Sequence, residues 1–330
     1  MTWKAALARA PFGGAEGGLQ INPSEYTPAE LERITRRFTY ALGDLIGPEY
    51  DIPGPDLNTD SQIMAWILDT YLSMLPPHER ARSVHVVTGK PLEAGGIPGR
   101  SQAVGQGLGY LLEQWARDRR FGLYAATYTV QGFGKVGTGI AHFLGALGCK
   151  CLAVEDATGG IASPDGIDTE DLTAWVAEHR GVKGYPKAKP VDHEEFLRTK
   201  ADIFIPAAIE NQVTAETAKW LNVRLVAEGA NGPTSPEADE ILEAQGIDVL
   251  PDILASAGGL IVSYFEWLQN KRSEYWDIND VNSKLQRTIV SAYERMRDTA
   301  HDLLCSWRTA AHIVALRRIE KVYKERGIFP

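Results

Sequence analysis

The chain has 330 residues, 44% of them hydrophobic and 23% charged, the profile of a soluble globular protein of about two domains. A net charge of -9 and a pI near 5.4 argue against a nucleic-acid or anionic-membrane partner, because both require basic surface. Cys149, Cys151 and Cys305 are an odd set without metal-like spacing, and the uncharged run Phe121 to Gly134 is 14 residues, short of the ~18 that a span requires. With no basic-then-apolar signal at the N-terminus, a reducing, cytoplasmic setting is expected.

In chain order, Met1-Thr-Trp-Lys4 leads into Arg9-Ala-Pro-Phe-Gly-Gly-Ala-Glu-Gly-Gly18, where four glycines and a proline in ten positions predict a tight loop that can approach a small ligand. Glu16 sits at its centre. Thr27-Pro-Ala-Glu30 has the pattern of a capped helix start, and Leu31, Ile34, Phe38 and Leu42 form an apolar stripe behind it. Pro55-Asp-Leu-Asn-Thr-Asp60 opens a second helix with Ile63, Trp66, Ile67 and Tyr71 on its apolar face, which places Asp56 just ahead of a helix N-terminus. The loop Val87 to Arg100 is glycine-rich, and its Lys90 and Arg100 fit either an anion site or a solvated turn. A helix from Ser101 to about Arg117 follows.

The second half alternates strands with helices. Tyr124 to Val130 reads as a strand, then comes Gly132-Phe-Gly134-Lys-Val-Gly137 and a helix through Ile140, Phe143, Leu144 and Leu147. Cys149 to Glu155 reads as the next strand and ends in the acidic pair Glu155-Asp156. The second acid lies 19 positions past the last glycine. This is the Gly-x-Gly-x-x-Gly dinucleotide pattern in its required context: glycines admit the pyrophosphate, a helix N-terminus faces its charge, and either acid can accept from a ribose hydroxyl. Further strands at Asp202 to Ile205, Val223 to Ala227 and Asp248 to Leu250 each end in a loop of small and amide residues. The expected fold class is therefore α/β, with a Rossmann-type doubly wound sheet. From Asp280 onward the chain reads as helical.

The ordered motifs Met1-Thr-Trp-Lys4, Pro11-Phe-Gly-Gly-Ala-x-Gly-Gly18, Pro55-Asp-x-Asn-Thr59, Thr88-Gly-Lys-Pro91, Gly132 to Gly137, Pro206-Ala-Ala-x-x-Asn211, Glu228-Gly-Ala-Asn-Gly-Pro233 and Ser263-Tyr-Phe-Glu-Trp267 resemble the glutamate dehydrogenase family across essentially the whole chain. The resemblance implies a partial α/β substrate and assembly domain over 1–104, an NAD(P)-binding domain over 105–300 and a C-terminal helix over 301–330 that packs back on the first domain. It also implies a hexamer, NAD or NADP as cofactor, and L-glutamate and 2-oxoglutarate, or another amino acid, as ligands. The acidic pair leans toward NAD. Lys4 matches the lysine that binds a substrate carboxylate, Asp56 the aspartate that shuttles protons to the amino group, and Ser263 the serine that helps hold the side-chain carboxylate. Gly132, Phe133, Gly134, Val136, Gly137, Ala207 and Asn231 match cofactor-contacting positions.

Position 16 matches the family's catalytic lysine, and here it is Glu16. Lysine there stabilises a developing oxyanion, so a carboxylate reverses the charge needed beside an anionic substrate. Other departures are Val104 and Gln106 in Ala103-Val-Gly-Gln-Gly107 and Ser256 in place of an amide. Family members carry a further segment ahead of the Met-Thr-Trp-Lys motif, so the substrate domain is expected to be N-terminally incomplete. The resemblance therefore points to a catalytically impaired, regulatory paralogue that assembles with an active glutamate dehydrogenase subunit. An active NAD(P)-dependent amino-acid dehydrogenase and an amino-acid or nucleotide sensor remain the alternatives.

Overall fold

Seven strands in the order β4-β3-β2-β1-β5-β6-β7 make the one large sheet among the described residues. A computed structural model describes residues 1–327. The strands are β1 (Thr127–Gln131), β2 (Lys150–Asp156), β3 (Gly159–Ile167), β4 (Lys189–Val191), β5 (Ile203–Pro206), β6 (Leu225–Ala227) and β7 (Asp248–Leu250). The helices, in chain order, are α1 (Thr2–Ala8), α2 (Pro28–Leu42), α3 (Ser61–Met74), α4 (Pro77–Arg80), α5 (Ala103–Asp118), α6 (Lys135–Ala146), α7 (Thr169–His179), α8 (His193–Leu197), α9 (Pro236–Ala244), α10 (Asp252–Ala255), α11 (Gly258–Arg272), α12 (Ile278–Leu303) and α13 (Trp307–Arg326).

The chain divides into two units. One comprises Gly14–Ser101 and Gly259–Lys284 with Met1; the other comprises Thr2–Gly13, Gln102–Gly258 and the chain from Leu285 onward. In the sheet-bearing unit β2, β1, β5, β6 and β7 run parallel, while β3 pairs antiparallel with β2 and β4 antiparallel with β3. The parallel order reverses between β1 and β5, which is the switch point at which open α/β sheets bind ligands beyond their strand ends. Phe196, Phe204, Val226, Leu242 and Ile247 pack in a buried cluster of this unit. Helix α13 packs on α1, with Trp3 edge-on to His312 at 4.8 Å between centroids.

In the other unit Thr27 caps α2 by the reciprocal bond pattern that its sequence predicts, with Thr27 N–H donating to Glu30 Oε2 at 2.8 Å. The buried line of α2 is Thr35 and Thr39, one step round from the expected apolar stripe, whose members are half-buried. The N-cap of α3 is Asp60, whose carboxylate accepts from Ile63 N–H at 3.0 Å; Met64, Ile67 and Leu68 are its buried residues. Strands β3 and β4 were not foreseen from the sequence. No helix among the described residues is long and apolar enough to cross a membrane.

Candidate functional site

In the sheet-bearing unit the β1–α6 turn is shaped by backbone contact. Gly132 has φ 90°, and a Cβ on it would lie 2.7 Å from the backbone of Ala207, at the end of β5. A Cβ on Gly137 would lie 1.9 Å from the carbonyl oxygen of Gly132. Gly134 is different: a Cβ there would meet nothing within 4 Å, and as N-cap of α6 it supplies no side-chain acceptor. The first turn of α6 thus presents uncapped N–H groups to open space, the arrangement that attracts an anion. Phe133 is buried, so only its backbone can face a ligand. Val136 and Ala207 are half-buried and close on Gly229, whose Cβ would come within 3.0 and 3.1 Å of them. These contacts bring the loops after β1, β5 and β6 together.

The two acids at the end of β2 have separate surroundings. Asp156 is engaged by its own loop, with Oδ1 accepting from Thr158 N–H at 2.8 Å and Oδ2 from Val182 N–H at 3.0 Å. Both oxygens of Glu155 lie near His193 Nδ1, at 2.9 and 3.0 Å, and Oε2 accepts from Gln131 Nε2 at 3.0 Å. Gln131 is itself buried, and its Oε1 has no hydrogen-bond partner. His193 and Gln131 escaped the sequence reading because neither belongs to the glycine pattern.

Beyond β6 the structure unites three residues read separately from the sequence. Lys4 Nζ donates to Asn231 Oδ1 at 2.5 Å, and Ser256 Oγ lies 3.4 Å from the same oxygen. The loop carrying Asn231 is pinned by Arg308 from α13. Its guanidinium donates to both oxygens of Glu228, at 2.7 and 2.9 Å, to Asp239, and toward Asp252 at 3.5 Å. Asp252 in turn accepts from Gly232 N–H at 2.8 Å. Burial pushes the Glu228 carboxyl up and Arg308 pulls it back; Arg308 is itself raised, its burial outweighed by Glu228 and Asp239. Replacing Arg308 by lysine keeps a charge but loses the planar fork, and is expected to lower stability by ~1–3 kcal/mol in urea unfolding.

In the other unit Glu16 and Asp56 are both exposed. Glu16 lies in an open segment without regular structure, where Cβ atoms added to Gly13, Gly17 or Gly18 would meet nothing within 4 Å. Asp56 opens a turn closed by Thr59, with Asp56 N–H donating to Thr59 Oγ1 at 2.6 Å and Asn58 at φ 56°. That turn leans on the Thr88-Gly89-Lys90 segment: Thr88 N–H donates to the Pro53 carbonyl at 2.9 Å, and Pro55 packs against Gly89, at φ 80°, where a Cβ would lie 2.5 Å from the proline ring.

Lys90 is not an anion site. Its side chain and that of Glu266 are fully buried and paired at 2.7 Å, and Glu266 also accepts from the N–H groups of Gly89 at 2.9 Å and Lys90 at 3.3 Å. Arg100 has spare capacity. Its Nε donates to Ser263 Oγ at 2.8 Å, and it forms no ion pair with a carboxylate among the described residues. Burial pulls its guanidinium below the ordinary arginine value, with the field of Glu266 opposing. Arg100 and Ser263 together can therefore hold a carboxylate. The sequence left Arg100 ambiguous because Ser263 is 163 positions away.

The geometry of the β1–α6 turn sets one expected outcome. Gly137→Ala drives a methyl into the Gly132 carbonyl, so it should displace the turn and destabilise the fold by ~1–3 kcal/mol in urea unfolding.

Comparison with known proteins agrees with the fold. Residues 95–327 match the model of the Glutamate/Leucine/Phenylalanine/Valine dehydrogenase family, and residues 1–73 match its dimerisation domain. The chain is 43% identical to the glutamate dehydrogenase of Thermotoga maritima, over all of this chain and 79% of that protein. It is 42% identical to the NAD-specific glutamate dehydrogenase A of Halobacterium salinarum, over all of this chain and 75% of that one. Among solved structures it is similar to the hetero-hexameric glutamate dehydrogenase of Thermus thermophilus in its leucine-bound form, with TM-score 0.94, 35% identity and cover of 100% of this chain and 77% of that one. The enzyme of Peptoniphilus asaccharolyticus gives TM-score 0.84 and 32% identity, covering 100% and 78%. The chain belongs to the glutamate dehydrogenase family of Glu/Leu/Phe/Val dehydrogenases.

Proposed function

We propose that the chain is a glutamate dehydrogenase-like subunit that retains a nicotinamide-nucleotide site, turns over glutamate weakly or not at all by itself, and regulates an active subunit within a cytoplasmic hetero-hexamer. The family reaction is the NAD(P)-dependent oxidative deamination of L-glutamate to 2-oxoglutarate and ammonia. The observation that carries the proposal is a contrast: the turn from Gly132 to Gly137 keeps its open, uncapped helix N-terminus, while position 16 carries a carboxylate.

The residues present fit a dinucleotide. The N–H groups at the start of α6 take the pyrophosphate, Gly134 leaves the space, and an acid at the end of β2 favours a ribose hydroxyl over a phosphate, hence NAD over NADP. When bound, NAD(P) supplies the hydride acceptor. Arg100 and Ser263 hold the side-chain carboxylate of an amino-acid ligand, and Asp56, exposed, exchanges protons with its amino group. Glu16 offers no positive charge to a developing oxyanion. Amino acids can thus be bound without efficient turnover, which suits a subunit that reports ligand to a partner. The hetero-hexameric, leucine-bound neighbour supports that reading.

The test is co-assembly. Mixed with an active glutamate dehydrogenase subunit of the same source, the chain should enter one hexameric species on size exclusion and change that enzyme's response to added amino acids. Separate elution and an unchanged response would overturn the regulatory role.

A further inference from the structure

Three arginines converge on the last turn of α1, and none forms an ion pair with a carboxylate among the described residues. Arg295, from α12, donates through Nη2 to the Leu7 carbonyl at 2.9 Å and through Nη1 to Ser291 Oγ at 2.7 Å. Arg318, from α13, donates through Nη1 to the carbonyls of Ala5 at 3.1 Å and Ala6 at 2.9 Å. Arg9 follows the helix directly: its N–H donates to the Ala6 carbonyl at 3.2 Å, its φ of 58° turns the chain, and its side chain is exposed.

Capping accounts for part of this cluster. The last carbonyls of a helix carry partial negative charge, and a basic side chain answers it. A helix of 7 residues has only a small charge at its end, so three guanidiniums exceed it. Their mutual repulsion registers on Arg295, which burial first, then Arg9 and Arg318, pull down to about 10, with Glu294 opposing. Arg318 is lowered by burial and by Arg9. The three guanidiniums make a concentrated positive spot in a chain of net charge -9. A guanidinium has five N–H donors in a planar fork. Among the described residues, the protein bonds of Arg318 use only Nη1, those of Arg295 only its two Nη atoms, and the Arg9 side chain has none. Donors therefore remain for a multidentate oxyanion.

We propose that Arg9, Arg295 and Arg318 form a binding site for a small multivalent oxyanion, a phosphate ester or a polycarboxylate, seated on the end of the helix that carries Lys4. Such a ligand competes for the guanidiniums that hold the Ala5, Ala6 and Leu7 carbonyls. Its binding is thereby coupled to α1, and through Lys4 to Asn231. The site stands independently of the nicotinamide reading.

The experiment is calorimetric titration of inorganic phosphate, pyrophosphate and citrate into the full chain, with NADH present in excess to occupy the β1–α6 turn. Wild type should bind at least one probe, and Arg9→Gln should weaken it at least about tenfold. Arg9 is exposed, so this variant keeps its fold even if Arg295→Gln or Arg318→Gln does not. Arg33→Gln, an exposed control on α2, should bind as wild type. Tighter binding of pyrophosphate supports a phosphate-bearing ligand, and tighter binding of citrate a polycarboxylate. Absence of binding by all three probes, or equal binding in wild type and Arg9→Gln, overturns the proposal. So does an Arg9→Gln change in oligomeric state without anion binding, which would assign the arginines to a protein carboxylate. A failure of the nicotinamide reading shows separately, as no heat with NADH, and leaves the comparison of arginine variants legible.

Discussion

Substituting lysine for Glu16 is expected to raise glutamate-dependent reduction of the nicotinamide cofactor by about a thousandfold over the unsubstituted chain. Two like charges ~4 Å apart at an effective dielectric near 20 repel by about 4 kcal/mol, and each ~1.4 kcal/mol is tenfold in rate. Lysine adds an attraction as well, so the estimate counts only the repulsion that is removed. The substitution should leave the melting temperature unchanged, because Glu16 is exposed and the neighbouring glycines face open space. Steady-state kinetics with NAD and with NADP, beside a melting curve, check both parts. If a folded, cofactor-binding Glu16→Lys chain stays silent, the charge at position 16 is not the sole determinant. Val104, Gln106 and Ser256 are then the next positions to restore. Gln106 now donates to the Tyr110 hydroxyl at 3.0 Å and Ser256 to the Asp252 carbonyl at 2.7 Å, so each is held by local structure.

Removing the charge of Lys90 should be the most damaging single change to the unit that bears Asp56. Lys90 and Glu266 have no solvent-exposed side-chain surface. Burial pulls Lys90 below the usual lysine value and Glu266 opposes that pull. Lys90→Met leaves the Glu266 carboxylate buried beside two backbone N–H groups but without its cation, a change expected to cost about 3–5 kcal/mol. The double variant Lys90→Met with Glu266→Leu should recover a large part of that loss, since it removes the uncompensated charge. The effect should reach the Asp56 turn, because Gly89 and Thr88 support Pro53 and Pro55. Urea unfolding of the two variants, with limited proteolysis of the segment around Asp56, measures both effects. A single variant within about 1 kcal/mol of wild type would show that the pair is not what holds this turn.

How much of this was legible in the sequence depended on how local the signal was. The Thr27 cap, the Gly132 to Gly137 turn and β7 at Asp248–Leu250 coincide with their expected places, because each is encoded within a few residues. Strand β1 begins at Thr127 rather than Tyr124, since Ala125 adopts φ 62° and Tyr124 stays 84% exposed. Strand β3 was missed for a compositional reason: Gly159, Gly160, Pro164 and Gly166 are residues of turns, and only pairing with β2 and β4 makes the segment a strand.

Site geometry was less legible, because it depends on pairs distant in sequence. Lys4 meets Asn231 across 227 positions, Lys90 meets Glu266 across 176, and Arg308 meets Glu228 across 80. No periodicity encodes such pairs. Lys90 and Arg100 looked alike as loop cations, yet one is neutralised inside the fold and the other is left able to take a carboxylate.

This chain is proposed to keep a nicotinamide site and to lack the family's turnover. One assay addresses it: glutamate-dependent formation of NADH or NADPH by the purified chain alone, on a preparation whose NAD(P)H binding has been established. The expected result is binding without reduction above background. Robust reduction by the unsubstituted chain would contradict it.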